Sequence, residues 1–103
     1  MIEAKKIEQM IMEEDVKHFF TEKQLSALND YLVKRFVFER DFQAKIKLET
    51  DIEDTKEDDD ILIFGVESFG QAFWALADYL KSYGYKIYAE DYYISIKLNE
   101  SIL

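Results

Sequence analysis

Residues 61–84, ILIFGVESFGQAFWALADYLKSYG, decide the fold. The first six are apolar throughout, which is typical of a strand that is covered on both faces or central in a sheet. Ser68 can cap the helix that follows, with Gln71 as its capping-box partner, and apolar residues recur along one face of that helix. Gly84 stands where a helix commonly ends in a left-handed residue. A buried strand followed by an amphipathic helix predicts a two-layer domain.

Two further strands are predicted after this helix. Apolar residues alternate in odd positions over 85–89 and in even positions over 92–98. The change of parity indicates a turn between two strands. Because this turn holds no Gly, a single bent strand is the alternative.

Two helices are predicted before the deciding segment. Ile7, Met10 and Ile11 form an apolar seam at helical spacing within residues 2–15. The sequence TEKQ at residues 21–24 has the spacing of a capping box, so a second helix begins there and ends near its basic pair at 34–35.

A strand is predicted over 41–50, where apolar residues hold the even positions and polar residues the odd ones. A bulge or a helix-to-strand transition is expected near 37–41, where the alternation breaks. We expect 41–50 and 61–66 to pair as an antiparallel hairpin. The predicted fold is a single α+β domain spanning residues 1–103, in the order α-α-β-β-α-β-β, with the helices packed on one face of an antiparallel sheet.

Composition excludes several classes of protein. The chain has 103 residues, with 13 basic and 22 acidic side chains, one His and no Cys. Without Cys there is no disulfide framework, no zinc–thiolate site and no thiol nucleophile. The apolar runs are too short for a membrane span, and the first residues lack an apolar signal core. We therefore expect a cytoplasmic protein that does not interact with membranes.

The net charge of −9 is concentrated in residues 49–60, ETDIEDTKEDDD, which we call the acidic segment. It carries eight acids and one Lys, whereas residues 1–48 carry nine acids and nine bases. Since like charges repel, we expect an exposed loop or hairpin tip. A calcium loop starting at Asp51 fails, because Lys56 occupies the sixth position, where Gly is required. We expect neither a metal nor a cofactor.

No catalytic constellation is recognisable in the sequence. His18 is the sole histidine, and nothing near it in sequence supplies both a nucleophile and an orienting acid. Ser68 lies between a strand and a helix but lacks the Gly-x-Ser-x-Gly spacing of a nucleophile elbow, and helix capping accounts for it. We expect a protein that is not an enzyme.

The localised acidity instead predicts binding to a protein with a basic surface, such as a nuclease or another nucleic-acid-binding protein. A dense negative field steers association with such a surface and can exclude the nucleic acid that it normally holds. We therefore predict an inhibitor of the anti-defence, immunity or antitoxin type that acts as a nucleic-acid mimic. The predicted partner-binding residues are Glu49, Asp51, Glu53, Asp54, Glu57, Asp58, Asp59, Asp60, Trp74, Tyr88 and Tyr93.

An alternative is an adaptor or homodimeric module that uses the aromatic-rich residues 61–98. Ten of the sixteen aromatic residues lie in the part of the chain from residue 61 onward. Trp74, Tyr88 and Tyr93 fall off the predicted core-facing positions, and tyrosine is favoured at protein interfaces. Direct nucleic-acid binding is not expected, because the chain is acidic and we expect no Lys or Arg beside these aromatics.

One local resemblance favours the same alternative. Residues 61–96 resemble part of the C-terminal domain of the MecA-type adaptors of the Clp protease. The shared features are Phe64 with Phe69, the Leu76-Ala77-x-x-Leu80 segment and the Tyr92-Tyr93 pair. The resemblance covers about a third of the chain and does not extend to residues 1–50. It implies a protein-binding adaptor.

Overall fold

The computed structural model describes residues 1–90 and 93–98. Its elements are α1 (Ala4–Lys17), α2 (Glu22–Val33), a π-helical turn (Lys34–Phe38), β1 (Gln43–Glu49), β2 (Thr55–Asp58), β3 (Ile61–Gly65), α3 (Phe69–Ser82), β4 (Lys86–Glu90) and β5 (Tyr93–Lys97). The strands form one mixed sheet in the order β2-β3-β1-β5-β4. The α+β class is confirmed, with one strand, β2, beyond the predicted order.

The core lies between the helices and one face of the sheet, as predicted. Alternate side chains of the central strands point into it, and Ile46 of β1 lies between Leu62 of β3 and Ile94 of β5. Leu28 of α2 and Leu76 of α3 join the same buried cluster. α1 packs on α3 rather than on the sheet. The opposite face of the sheet is therefore left without a helix among the described residues, and we call it the open face.

The predicted hairpin between 41–50 and 61–66 is wrong. β1 and β3 are adjacent but parallel, with Ile46 opposite Leu62. The acidic segment contains β2, which pairs antiparallel with β3 at the edge of the sheet. After β1 the chain crosses the end of β3 and runs along the sheet edge as β2. It then turns into β3, which lies between β1 and β2. β3 is therefore flanked by strands on both sides, which confirms the central position that its apolar sequence predicted.

This crossover requires a glycine. A Cβ at Gly65 would lie 2.3 Å from the carbonyl oxygen of Ile52, so the crossing backbone approaches more closely than any side chain allows. The Gly65 N–H donates to the Asp54 carbonyl at 2.7 Å. The buried side-chain amide of Gln24 donates to the carbonyls of Asp54 (2.8 Å) and Gly65 (2.9 Å). Gln24 therefore attaches α2 to the crossover.

Three of the predicted helix boundaries have different outcomes. Thr21 and Gln24 form the predicted capping box. At α3, by contrast, the side chain of Ser68 makes no cap hydrogen bond with any described residue, so the predicted box with Gln71 is wrong. Gly84 follows α3 with a φ of 95°, which confirms the expected left-handed termination.

The predicted irregularity near 37–41 is confirmed. α2 continues into the π-helical turn, and Arg40 then adopts a φ of 57° before β1 begins. At the C-terminal end, two antiparallel strands are also confirmed, with Ile87 of β4 opposite Ile96 of β5. Their connection at 91–92 lies outside the described residues, as does Tyr92 of the pair in the adaptor resemblance.

Candidate functional site

The acidic segment is not a single projecting tip. Glu49 ends β1, Asp51 and Glu53 lie in the crossover, and the following acids line β2 and its turn into β3. Only the β2–β3 turn has the predicted hairpin form, with Asp59 and Asp60 at φ values of 50° and 65°. Asp tolerates this left-handed conformation, which two-residue hairpins require.

The fold neutralises half of this segment with the protein's own bases. Four of its eight carboxylates form ion pairs within the described residues, and we call them the paired set. These are Asp54 with Lys23 (2.9 Å), Glu57 with Lys34 (2.7 Å), Glu49 with Lys47 (2.9 Å) and Asp60 with Arg35 (3.7 Å). Most of these bases come from α2 and the turn that follows it, far from the segment in sequence.

The pKa values reflect this pairing. The hydrogen bond from Lys23 holds the pKa of the Asp54 carboxyl below its usual range. In the same way, the hydrogen bond with Glu57 raises the pKa of Lys34. Each shift favours the charged form of its group.

Arg35 connects the acidic segment to the body of the protein. Its side chain is 13% exposed and contacts the carboxylates of Asp41 (2.8 Å), Glu39 (3.5 Å) and Asp60 (3.7 Å). It also donates to the Gln43 carbonyl at 3.2 Å. In the sequence this residue indicates only a helix end. Its contacts with Glu39 and Asp41 are local, whereas the contact with Asp60 depends on the β2–β3 turn, whose position the sequence did not predict.

Tyr31 fixes the backbone of the same turn. Its buried hydroxyl donates to the Asp60 carbonyl at 2.6 Å and accepts from the Lys45 N–H at 3.0 Å. Burial raises the pKa of this hydroxyl, so it stays protonated and available as a donor. Gln24 at one end of β2 and Tyr31 at the other thus hold the acidic segment against α2.

The other four carboxylates of the segment form the free set. They are Asp51, Glu53, Asp58 and Asp59. All four are exposed, and within the described part of the chain none forms an ion pair. Asp51 and Glu53 precede β2, Asp58 is its last residue and Asp59 follows it. β2 is an edge strand that pairs with β3 alone among the described strands, so the segment presents negative charge at both ends of this edge.

The predicted aromatic residues do not form one patch. Trp74 is exposed on the helical layer, where it packs edge-on against Phe73 with ring centroids 5.3 Å apart. Tyr88 and Tyr93 lie in neighbouring strands on the open face, on the other side of the sheet. The structure thus separates Trp74 from the two tyrosines, whereas Lys47 links Tyr93 to Glu49 at the end of β1.

The open face also places lysines beside these tyrosines. Lys45 and Lys47 lie 5.9 and 5.7 Å from the Tyr93 ring centroid, and Lys97 lies 5.0 Å from that of Tyr88. This arrangement differs from the expectation of no nearby base, because Lys45 and Lys47 reach Tyr93 only through the pairing of β1 with β5, and Lys97 reaches Tyr88 through the pairing of β5 with β4. Carboxylates lie on the same face as these lysines. The absence of direct nucleic-acid binding stays a prediction.

A cleft of about 760 Å³ opens where β1 and β3 end, between the starts of α2 and α3. Its lining includes His18, Lys23 and Ser68. In the described residues the His18 side chain makes no hydrogen bond or ion pair, so no group orients it as a base. Across residues 1–90 and 93–98, no three His, Asp or Glu side chains are grouped as a metal site.

Comparison with protein families, curated proteins and solved structures finds no match to this chain. The adaptor resemblance of residues 61–96 therefore stays a prediction. None of the helices in residues 1–90 and 93–98 has the length and apolar character needed to cross a membrane.

Proposed function

We propose that this protein is a cytoplasmic, non-enzymatic inhibitor that binds another protein, of the anti-defence, immunity or antitoxin type. Its free set of carboxylates contacts a basic, nucleic-acid-binding surface of that partner and excludes the nucleic acid. The observation that carries the proposal is the presence of four exposed carboxylates, without an ion pair in residues 1–90 and 93–98, on a backbone that Gln24, Tyr31 and Gly65 hold in place.

Rigid mounting favours this mode of binding. Carboxylates on a mobile loop would lose conformational entropy on contact, whereas carboxylates on a backbone held by hydrogen bonds at both ends of β2 are already positioned. Asp51 and Glu53 lie before β2, and Asp58 and Asp59 lie at its other end, so the edge presents two pairs of charges. Their field also raises the association rate with a basic surface.

The ion pairs divide the predicted binding residues into two groups. The paired set already satisfies the protein's own bases, so its carboxylates are less available to a partner. We propose that the free set makes the main contacts, while Gln24, Tyr31 and Gly65 hold the backbone in position.

Two variants with the same change in charge test this division. The free-set variant is D51N/E53Q/D58N/D59N, and the paired-set variant is E49Q/D54N/E57Q/D60N. Each removes four negative charges. Both are immobilised beside the wild-type protein, at a temperature where circular dichroism shows all three folded, and used to capture proteins from the native host.

The captured protein is then titrated with a labelled oligonucleotide. We expect the wild-type protein to displace the oligonucleotide, the paired-set variant to retain most of this effect and the free-set variant to lose it. Salt should weaken wild-type binding more steeply than binding of the free-set variant. Equal displacement by the wild-type protein and the free-set variant would contradict the proposal.

The second candidate, an adaptor or homodimeric module, is favoured by exposed aromatic side chains. Trp74 and Tyr88 are 58% and 46% exposed. Because they lie on different layers, each represents a separate surface. Loss of partner capture in W74A or Y88A, with capture unchanged in the free-set variant, would favour this candidate over the inhibitor.

A further inference from the structure

α1 packs against the body of the protein with one side and leaves apolar side chains exposed on the other. Val16 is buried in the core, and the Gln9 side chain donates to a carbonyl of α3 at 2.8 Å. The seam of Ile7, Met10 and Ile11 lies on the other side of the helix. These three side chains are 46%, 48% and 53% exposed. The seam that the sequence analysis uses to predict α1 is therefore not its core-facing side.

Helical geometry shows that these are distinct surfaces. At 3.6 residues per turn, the three seam residues fall within an arc of roughly 100°, and Gln9 and Val16 point the opposite way. Three neighbouring large apolar side chains on an exposed helix face are characteristic of a surface that another helix covers.

The charges on α1 indicate which helix this is. Lys6 lies four residues before Met10 and Glu14 lies four residues after it. Glu3 lies seven residues before Met10 and Lys17 lies seven after it. Opposite charges are therefore placed symmetrically about the middle of the seam. Such a pattern is complementary to a reversed copy of itself.

We propose that the exposed face of α1 binds α1 of a second copy of this chain in an antiparallel pair. A two-fold axis passes near Met10, so the interface uses the same patch of both copies. Lys6 then meets Glu14 of the second copy, and Glu3 meets Lys17 of the second copy, each contact occurring twice. A parallel pair in register would instead place like charges side by side, which disfavours it.

This pairing also accounts for a charge order that an isolated helix disfavours. Lys5 and Lys6 lie near the positive end of the helix dipole, and residues 13–15 place three acids near its negative end. An antiparallel second helix brings charges of opposite sign to both ends. In the single chain, Glu14 makes only a long contact with Lys17, at 3.9 Å, between two exposed side chains.

The interface is small, since it consists of one face of a 14-residue helix from each copy. We therefore expect a dimer that dissociates in the micromolar range, as weak and transient interfaces do. The inference does not rest on the proposed inhibitor function, because α1 contributes nothing to the acidic segment and lies outside the aromatic-rich half.

Sedimentation equilibrium of the full chain, from micromolar to millimolar concentration, tests the inference. The wild-type protein should change from monomer to dimer across this range. Ile11→Asp should weaken the dimer about 100-fold or more, because it places a charge in the apolar seam. The matched control is Val37→Asp, at a residue 57% exposed in the π-helical turn, which should leave the dimer unchanged.

Charge reversal tests the antiparallel arrangement. K6E and E14K should each weaken the dimer about 3- to 10-fold, and the double variant K6E/E14K should restore it, since the signs are again opposite. Both single changes suit the helix dipole, so loss of the helix cannot explain a weaker dimer. A wild-type protein that stays monomeric at millimolar concentration would overturn the inference. So would an unchanged dimer in Ile11→Asp, or a double variant weaker than either single one.

Discussion

The acidic segment and α1 show opposite relations between sequence and surface. In the sequence, residues 49–60 are the most unusual stretch, yet the fold pairs half of their carboxylates with Lys and Arg of the same chain. α1 reads as an ordinary amphipathic helix, yet it leaves an apolar seam and a symmetric charge pattern in solvent. Charge that is dense in sequence is therefore not the same as charge that is free for a partner.

The difference arises from where each region finds its contacts. β2 inserts the acidic segment into the edge of the sheet beside α2, where bases are available to it. α1 contacts α3 on one side and extends along the outside of the helical layer. A surface available to partners is what remains after these internal contacts have formed.

The strongest test of this contrast is Gly65→Ala, because the acidic segment has its geometry only if the crossover passes over Gly65. The added Cβ would meet the Ile52 carbonyl oxygen at 2.3 Å, a backbone atom that cannot move without shifting the crossover. We expect the free energy of unfolding to fall by about 3 kcal/mol or more. Urea denaturation measures it.

Gly70→Ala is the matched control for this change. A Cβ there meets nothing within 4 Å, and Ala is preferred over Gly inside a helix. It should leave stability equal or slightly raised, by up to about 1 kcal/mol. Equal stability of the two variants would mean that the crossover does not pass over Gly65 as described.

Tyr31→Phe should have a smaller effect on the same segment. It leaves the Asp60 carbonyl and the Lys45 N–H without their buried partner, which costs about 1–3 kcal/mol. Hydrogen exchange of the Lys45 amide should accelerate by more than the global loss of stability accounts for. Tyr88→Phe, at an exposed hydroxyl, is the control that should change neither measurement.

The smallest predicted effect is the pH dependence from Asp54. Its folded-state pKa lies below the usual 3.8 because Lys23 stabilises the carboxylate. Its contribution to stability is therefore present above that value and is lost as the pH falls through the lowered pKa. In D54N this contribution is absent, so the variant should lose less stability than the wild-type protein between about pH 5 and about pH 2, a range that spans the usual pKa of an Asp carboxyl. An identical loss in both proteins would remove Asp54 as a contributor.

Local sequence patterns predict most elements of this fold and little of its pairing. The capping box at Thr21, the termination at Gly84 and the alternation in β1 depend on neighbouring residues, so the sequence shows them directly. The parallel pairing of β1 with β3 depends on the crossover. In the sequence a single glycine, Gly65, indicates this crossover. The sequence did not predict β2, because its residues are mostly acidic and acidic residues are depleted in strands and common in turns.

The sequence shows which acidic residues make up the candidate site, but not which of them are free to bind a partner. The eight carboxylates are plain in the sequence, whereas their partners come from α2, β1 and the π-helical turn. Similarly, the lysines beside Tyr93 belong to β1 and reach it only through the register with β5. Side-chain pairing across strands and layers needs the tertiary arrangement.

The division of the acidic segment into free and paired carboxylates is tested most directly by urea unfolding at pH 7 and low salt. The free-set and paired-set variants each lose four negative charges, so overall charge cannot separate them. We predict that the paired-set variant unfolds at lower urea than the wild-type protein, whereas the free-set variant unfolds at equal or higher urea because repulsion is relieved. Equal midpoints for the two variants, or a lower midpoint for the free-set variant, would contradict the division.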